Sequence, residues 1–364
     1  MRNLYGAGLI AITLALATGC GGDSNKPAGE PGGAGGTGGG SLLRIDAGGA
    51  TFVNPIMQKW SGAYKDMKKA EINYVQSGSG DGIKGVTKKN LDFACSDAPM
   101  DAKEVKAAKE AGGDVIHIPV AIGAVALVYN LDGVKDLKLS GEVLGEIYMR
   151  KITKWNDPKI AALNPGVPLP DQPVTPVARD ASSGTTSIFT EYLKKRNDAL
   201  PKASKSPKWP EGVEKKKENA GIAEYVKSTP FTIGYVELAF ARNNNLPCAS
   251  IVNKAGKPVA PGAASVTAAV DAAIKVKPTE EPYSLHPLAF SFTDADGAGA
   301  YPIVGASYAM LFQNQPKEKG TVIVEFLKWV VTDGQKMSAD LHYAPLPAEL
   351  SNKAKELLGT VLFG

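Results

Sequence analysis

From residue 42 onward, short runs rich in β-branched and aromatic residues alternate with segments whose apolar residues recur every three or four positions. SLLRIDAGG predicts a strand. NPIMQKWSGAYKDM sets Ile56, Trp60, Tyr64 and Met67 on one helical face, with Pro55 in the first turn, where a missing N–H costs nothing. EINYVQSG predicts a strand, DGIKGVTKKN a helix and LDFACSD another strand; a helix then opens at Asp101, where Glu104 completes a capping box. VIHIPVAIGAVALVYN, residues 115–130, is long, apolar and β-rich, the pattern of a strand buried on both faces or of a segment running between domains. Helices are expected at SGEVLGEIYMRK, TTSIFTEYLKK and GIAEYVKS, strands at TIGYVELAFA and YPIVGASYAMLF, and a final helix at VIVEFLKWVV, buried on a broad face. The alternation favours an α/β architecture with largely parallel sheets. A length of 364 residues favours two domains.

The first 41 residues have a different character. MRNLYGAGLIAITLALATGC carries Arg2 and then an apolar stretch from Ala7 to Ala17, too short to span a bilayer, which reads as an export signal over residues 1–20. Its end, Leu16-Ala17-Thr18-Gly19-Cys20, resembles the lipobox of bacterial lipoproteins. Cys20 is therefore the expected lipidation site and a membrane surface an expected partner, with ordinary secretory cleavage as the alternative. Residues 21–41, GGDSNKPAGEPGGAGGTGGGS, have almost nothing to bury and read as a flexible tether. A net charge of +4 from 41 basic and 37 acidic residues is too balanced for a nucleic-acid surface, and the basic run KWPEGVEKKKEN (208–219) reads as a solvated face.

Candidate chemistry gathers in three clusters of glycine and hydroxyl residues: GGATF (48–52), SGSGDG (77–82) and SSGTT (182–186). Each falls where a strand or loop gives way to a helix. Free amides at a helix N-terminus carry partial positive charge, and glycine lets the backbone approach closely, so such junctions suit tetrahedral oxyanions. Any one of them is equally an ordinary N-cap. Three in one chain, with Arg179 beside the third, favour an anion site. The clusters match neither a P-loop nor a dinucleotide fingerprint nor a nucleophile elbow. His117, His286 and His342 are scattered outside them and read as packed or surface residues, so Ser79 and Ser183 lack an obvious base; no paired His or Cys spacing suggests a metal.

Asp97, at the end of a predicted strand in FACSDAPM, is either a turn residue before Pro99 or part of that anion site. A carboxylate beside an anion is repulsive unless the anion brings a hydrogen. Hydrogen phosphate does, whereas sulfate meets a carboxylate with lone pairs only, so one aspartate can reject sulfate.

These residues resemble a known family, the phosphate-binding protein of the bacterial high-affinity phosphate ABC transporter, over about residues 46–350. GGATFVNPIMQKW, SGSGDGIKGV, LDFACSDAPM, IYMRKITKWNDPKIAALNPG, TIGYVELAFA, YPIVGASY and LHYAPLPAEL follow one another in the order of that family's motifs. The resemblance implies a two-domain periplasmic-binding-protein fold of type II, with two crossovers and the ligand in the interdomain cleft. Domain I would comprise residues 42–119 plus 303–364, and domain II residues 120–302. Cys95 and Cys248 then fall on different domains, and no bridge is expected between them. The implied phosphate shell is Thr51, Phe52 (amide), Ser79, Asp97, Arg179, Ser183, Gly184 (amide) and Thr185, with no cofactor, no metal and no catalytic residue. The implied protein is an extracytoplasmic monomer that hands inorganic phosphate to permease subunits driven by a cytoplasmic ATPase. A secreted phosphatase or serine hydrolase, or a binder of another oxyanion on the same fold, is the alternative. One departure concerns Arg179: in many relatives an acid two places later pairs with the arginine, but here Asp180 follows directly and Ala181 takes the acid's place. Asp81 is the candidate substitute partner.

Overall fold

The computed structural model describes residues 42–67, 69–197 and 202–364; the expected signal segment, Cys20 and the tether lie outside the described residues. The chain begins with β1 (Arg44–Gly49), α1 (Asn54–Asp66), β2 (Glu71–Gln76), α2 (Ser79–Thr87), β3 (Phe93–Ser96) and α3 (Ala102–Gly112). These lead into β4 (Val115–Tyr129), a strand of 15 residues that is almost wholly buried, as its unbroken apolar sequence predicts. The middle of the chain forms β5 (Lys138–Leu139), α4 (Gly141–Tyr148), α5 (Pro158–Leu163), β6 (Thr175–Arg179), α6 (Gly184–Arg196), β7 (Glu214–Lys216), α7 (Glu218–Ser228), β8 (Thr232–Glu237) and α8 (Leu238–Asn243). Then come β9 (Ser250–Val252), β10 (Pro258–Val259), α9 (Ala263–Ala273), β11 (Val304–Phe312), β12 (Asn314–Gln315), α10 (Lys317–Val330), α11 (Ala348–Leu358) and β13 (Leu362–Phe363). Leu42–Gly364 makes one compact unit.

Eight strands form the main sheet in the order β2-β1-β3-β11-β4-β8-β6-β7. The flanks are parallel, as expected, with β1 beside β2 and β3, and β6 beside β7 and β8. The centre corrects the expectation of a largely parallel sheet. There β11 runs antiparallel to both β3 and β4, and β4 runs antiparallel to β8. The reason is topological: β4 and β11 carry the chain in opposite senses through the middle of the sheet, and opposed neighbours pair antiparallel.

Local sequence explains most of the elements. Ile56, Trp60 and Tyr64 bury one face of α1, each contributing about 1.5–3 kcal/mol of hydrophobic stabilisation. Met67, the fourth residue predicted on that face, instead caps the helix and stands exposed. Asp101 and Glu104 close the predicted capping box on α3. TIGYVELAFA is a strand only as far as Glu237; the Glu237 carboxylate then accepts the Ala239 N–H at 2.9 Å and starts α8. Strand and helix are both buried here, so periodicity could not separate them. Nor is α10 the last helix: α11 follows, with Leu350, Ala354 and Leu358 buried at steps of four. The run 208–219 is not simply solvated, because Trp209, Val213 and Asn219 are buried and Glu214–Lys216 pairs with β6.

Candidate anion-binding site

The three glycine and hydroxyl clusters each follow the carboxyl end of a parallel strand and precede a helix: β1 to α1, β2 to α2 and β6 to α6. Across the antiparallel centre β6 runs opposite to β1 and β2, so the carboxyl ends of the two flanks approach each other from opposite sides and meet where Arg179 bonds Thr51 and Gly184 bonds Ser79. Gly49 makes the first turn possible. Its φ is +119°, and a Cβ there would stand 2.3 Å from the Cys95 carbonyl. At the third junction Gly184 brings the start of α6 against β3; a Cβ at this position would lie 2.5 Å from both Asp97 Cβ and Ser79 Oγ.

The predicted residues fall into two hydrogen-bonded sets, joined along the chain where Ser183 meets Gly184. Ser79 Oγ accepts the Gly184 N–H at 3.0 Å and the Asp97 N–H at 3.2 Å, and donates to Asp97 Oδ2 at 3.4 Å. Arg179 Nη1 donates to Thr51 Oγ1 at 3.2 Å and to Ser183 Oγ at 3.0 Å. Ser183, the N-cap of α6, also accepts the Thr186 N–H at 3.2 Å. Thr185 joins through Asn219, whose Nδ2 donates to Thr51 Oγ1 at 2.8 Å and to Thr185 Oγ1 at 3.4 Å. Phe52 sits beside Thr51 in the same loop, its carbonyl accepting the Tyr343 hydroxyl at 2.6 Å. Thr51, Phe52, Ser79, Asp97, Arg179, Ser183 and Thr185 are all buried.

Hydrogen-bond capacity fixes the polarity of the group. A hydroxyl offers one donor and two acceptor positions. Thr51 Oγ1 accepts from Arg179 and Asn219, and Ser183 Oγ accepts from Arg179 and Thr186, so each has only its hydrogen left to give. Asp97 is the counterpart: its Oδ1 accepts the Ser307 hydroxyl at 2.8 Å. Burial pushes the Asp97 carboxyl up to about 7, against the opposing pull of Ser307, Arg179 and Ser79. Burial likewise lowers the Arg179 guanidinium from its ordinary value.

Asn219 and Ser307 were missed from sequence. Ser307 lies inside the uniformly buried β11, and Asn219 ends the charged run read as solvated. Asp81 does not support Arg179: it is exposed on α2 and pairs with Lys84 at 3.5 Å. Asp180 is exposed as well, and Arg179 Nε and Nη2 have no hydrogen-bond partner among the described residues. His117 and His286 have ring centroids 3.7 Å apart with their planes tilted by 32°, and both bond to Met100 rather than to either serine, while Cys95 and Cys248 are free thiols.

An α/β sheet crossed by two long central strands, with helix N-termini gathered at its strand ends, defines a periplasmic-binding-protein fold. In agreement, the family model described as the PBP superfamily domain matches residues 27–334. The phosphate-binding protein PstS of Pasteurella multocida is 38% identical over 315 residues, covering 85% of this chain and 88% of that one. Its counterpart of the same name in Xylella fastidiosa is 36% identical over 314 residues, covering 85% and 83%. The chain belongs to the PstS phosphate-binding protein family. A solved structure of a high-affinity periplasmic phosphate-binding protein (PfluDING) bound with phosphate shares the fold, with a TM-score of 0.71 at 20% identity over 86% of this chain and 93% of that one.

Proposed function

We propose that this protein binds inorganic phosphate outside the cytoplasm and delivers it to the permease of an ABC transporter, and that it catalyses no reaction. The observation that carries the reading is the arrangement of one buried carboxylate, Asp97, against a set of groups with hydrogens to give. Thr51, Phe52, Arg179, Ser183 and Thr185 would donate to the phosphate oxygens, Ser79 and Gly184 would join them by exchanging the Gly184 N–H to Ser79 and Ser79 to Asp97 bonds for bonds to the ligand, and Asp97 would accept the ligand's own hydrogen. Arg179 supplies the charged fork, and the remaining donors are neutral.

In this reading the chain divides into domain I, residues 42–119 plus 303–364, and domain II, residues 120–302. The ligand lies between them. Arg179, Ser183, Gly184 and Thr185 then come from one domain and Thr51, Ser79 and Asp97 from the other, so phosphate has most of its partners only when the two are together. That difference in affinity between open and closed forms is what lets the ligand shift their balance. A diacylated Cys20 would hold the protein at a membrane surface beside its permease, with residues 21–41 as the tether.

Calorimetry with phosphate, arsenate and sulfate, beside a phosphatase assay, tests the proposal. Tight binding of phosphate and arsenate, little binding of sulfate and no release of phosphate from esters are expected. Sulfate binding equal to phosphate would overturn the role given to Asp97. Turnover of a phosphate ester would overturn the non-enzymatic reading.

A further inference from the structure

Met100 lies three residues beyond Asp97 and is fully buried. Its N–H donates to His117 Nε2 at 3.2 Å, and its carbonyl oxygen lies 2.8 Å from His286 Nε2. A carbonyl only accepts, so His286 Nε2 carries a hydrogen. An N–H only donates, so His117 Nε2 carries none and its ring is neutral. The two rings are 1% and 7% exposed, with centroids 3.7 Å apart. In the division proposed above, Met100 and His117 belong to domain I and His286 to domain II.

A second contact crosses the same boundary. Lys205 Nζ donates to both carboxylate oxygens of Glu104 at 2.6 Å, and both side chains are half-buried. Glu104 lies in the first turn of α3, just after Met100, whereas the Lys205 carbonyl accepts the Ser183 N–H at 2.9 Å. Together the two contacts join the segment that carries Asp97 to the segment that carries Ser183.

We propose that His286 on Met100 and Lys205 on Glu104 form a latch that holds the two domains closed over the anion site, and that the histidine pair makes this latch release as pH falls. The proposal rests on the phosphate-binding reading and its two domains. Burial and the neighbouring ring push His117 well below its ordinary value, and burial lowers His286 against the pull of the Met100 carbonyl. Lys205 is the cation that bears on the pair, with Glu104 as its counter-ion. Asp101 is exposed and accepts the Glu104 N–H, and Glu191 of α6 is taken up by Tyr283, Ser291 and Thr293, so both carboxylates are committed elsewhere. A proton on His117 would turn its acceptor lone pair into an N–H aimed at the Met100 N–H. Once the domains part, water reaches His286 and its affinity for protons returns toward the ordinary value of about 6.5. Protons therefore favour the open form: the latch has its full strength above about 6.5 and weakens as pH falls below it.

The test measures phosphate affinity of the full chain by calorimetry from pH 8 to pH 5, in the parent and in His286→Gln, which keeps an N–H for the Met100 carbonyl but takes no charge. The ionisations of phosphate and of Asp97 act on both proteins alike, so the ratio of their affinities isolates the histidine. Over that range the parent should lose about tenfold more affinity than the variant, as for a group of ordinary value near 6.5 whose proton closure excludes. Lys205→Met keeps the stem and removes the charge, so phosphate should dissociate about tenfold faster with its association rate little changed. A parent-to-variant ratio that stays constant with pH, or an unchanged dissociation rate in Lys205→Met, would overturn the latch. Absence of phosphate binding at every pH would overturn the function proposed above and the latch with it, whereas binding with a constant ratio overturns the latch alone.

Discussion

Replacing Asp97 with asparagine keeps the outline of the side chain and exchanges one acceptor oxygen for a donor NH2. In the ligand-free chain the carboxyl is buried and pushed up from 3.8 to about 7, chiefly by the loss of water around it. At about 1.4 kcal/mol for each tenfold change, that gap means that ionising Asp97 in the folded chain costs about 4 kcal/mol more than in the unfolded one. The sign follows from proton counting. Between 3.8 and about 7 the folded chain holds a proton that the unfolded chain has released, so the stabilisation is complete below 3.8 and lost as pH rises through about 7. Asp97→Asn removes this dependence. Denaturant unfolding of both proteins from pH 4 to pH 8, without ligand, should therefore show the variant gaining about 4 kcal/mol relative to the parent across that range. A difference that stays flat with pH would refute the reasoning. In the proposed site the same proton would govern selectivity. Below pH 7 the parent's Asp97 acquires a hydrogen and can donate to sulfate, so sulfate affinity should rise as pH falls, whereas Asp97→Asn should bind sulfate equally at pH 6 and pH 8.

Arg179→Ala should weaken phosphate binding by about 2–5 kcal/mol in calorimetry, because the anion loses a desolvated, charged donor; unchanged affinity would place the anion elsewhere. Gly184→Ala puts a Cβ 2.5 Å from Asp97 Cβ and Ser79 Oγ, so phosphate affinity should fall at least tenfold while the melting temperature reports a loss of about 1–3 kcal/mol. Asn219→Asp turns a donor to Thr51 and Thr185 into an acceptor that captures their hydrogens, and should cost about 1.5–3 kcal/mol of phosphate affinity. That cost should shrink in a Thr51→Val background, and simple additivity between the two would show that Asn219 does not act through Thr51.

How far the site could be read from sequence depended on whether backbone chemistry announced it. Thr51, Ser79 and Ser183 were legible because a hydroxyl beside glycine at a strand-to-helix junction is a local signal, and the junctions themselves follow from the switch of hydrophobic period. Asn219 gave none. It stands at the end of a run of lysines and glutamates, where composition says solvent, and only the packing of α7 against β8 buries it. Ser307 is one polar residue in a strand whose every position is buried, so neither period nor propensity distinguishes it. Asp81 failed for the opposite reason. Its cluster was read correctly as a helix start, but the third residue of α2 turns outward to Lys84 instead of toward Arg179. The fold shows the same division: parallel flanks follow from the αβ alternation, while the antiparallel centre depends on where two long strands meet, and no local pattern contains that.

The polarity of the site also explains why it has so little charge. Phosphate and sulfate can both be present as dianions of the same tetrahedral shape, so adding cations would attract the two together and separate neither. What differs is the count of hydrogens on the ligand. Thr51 and Ser183 have their acceptor positions filled by Arg179, Asn219 and Thr186, which turns them into obligate donors, and Asp97 stands opposite as the acceptor. An anion without a hydrogen can satisfy the donors but leaves its lone pairs against those of Asp97, a mismatch that costs more than a single good hydrogen bond contributes. The same aspartate offsets the charge of Arg179 when ionised. In the proposed site attraction would thus be spread over hydroxyls and amides, and discrimination would rest on Asp97, the one group whose proton can be removed.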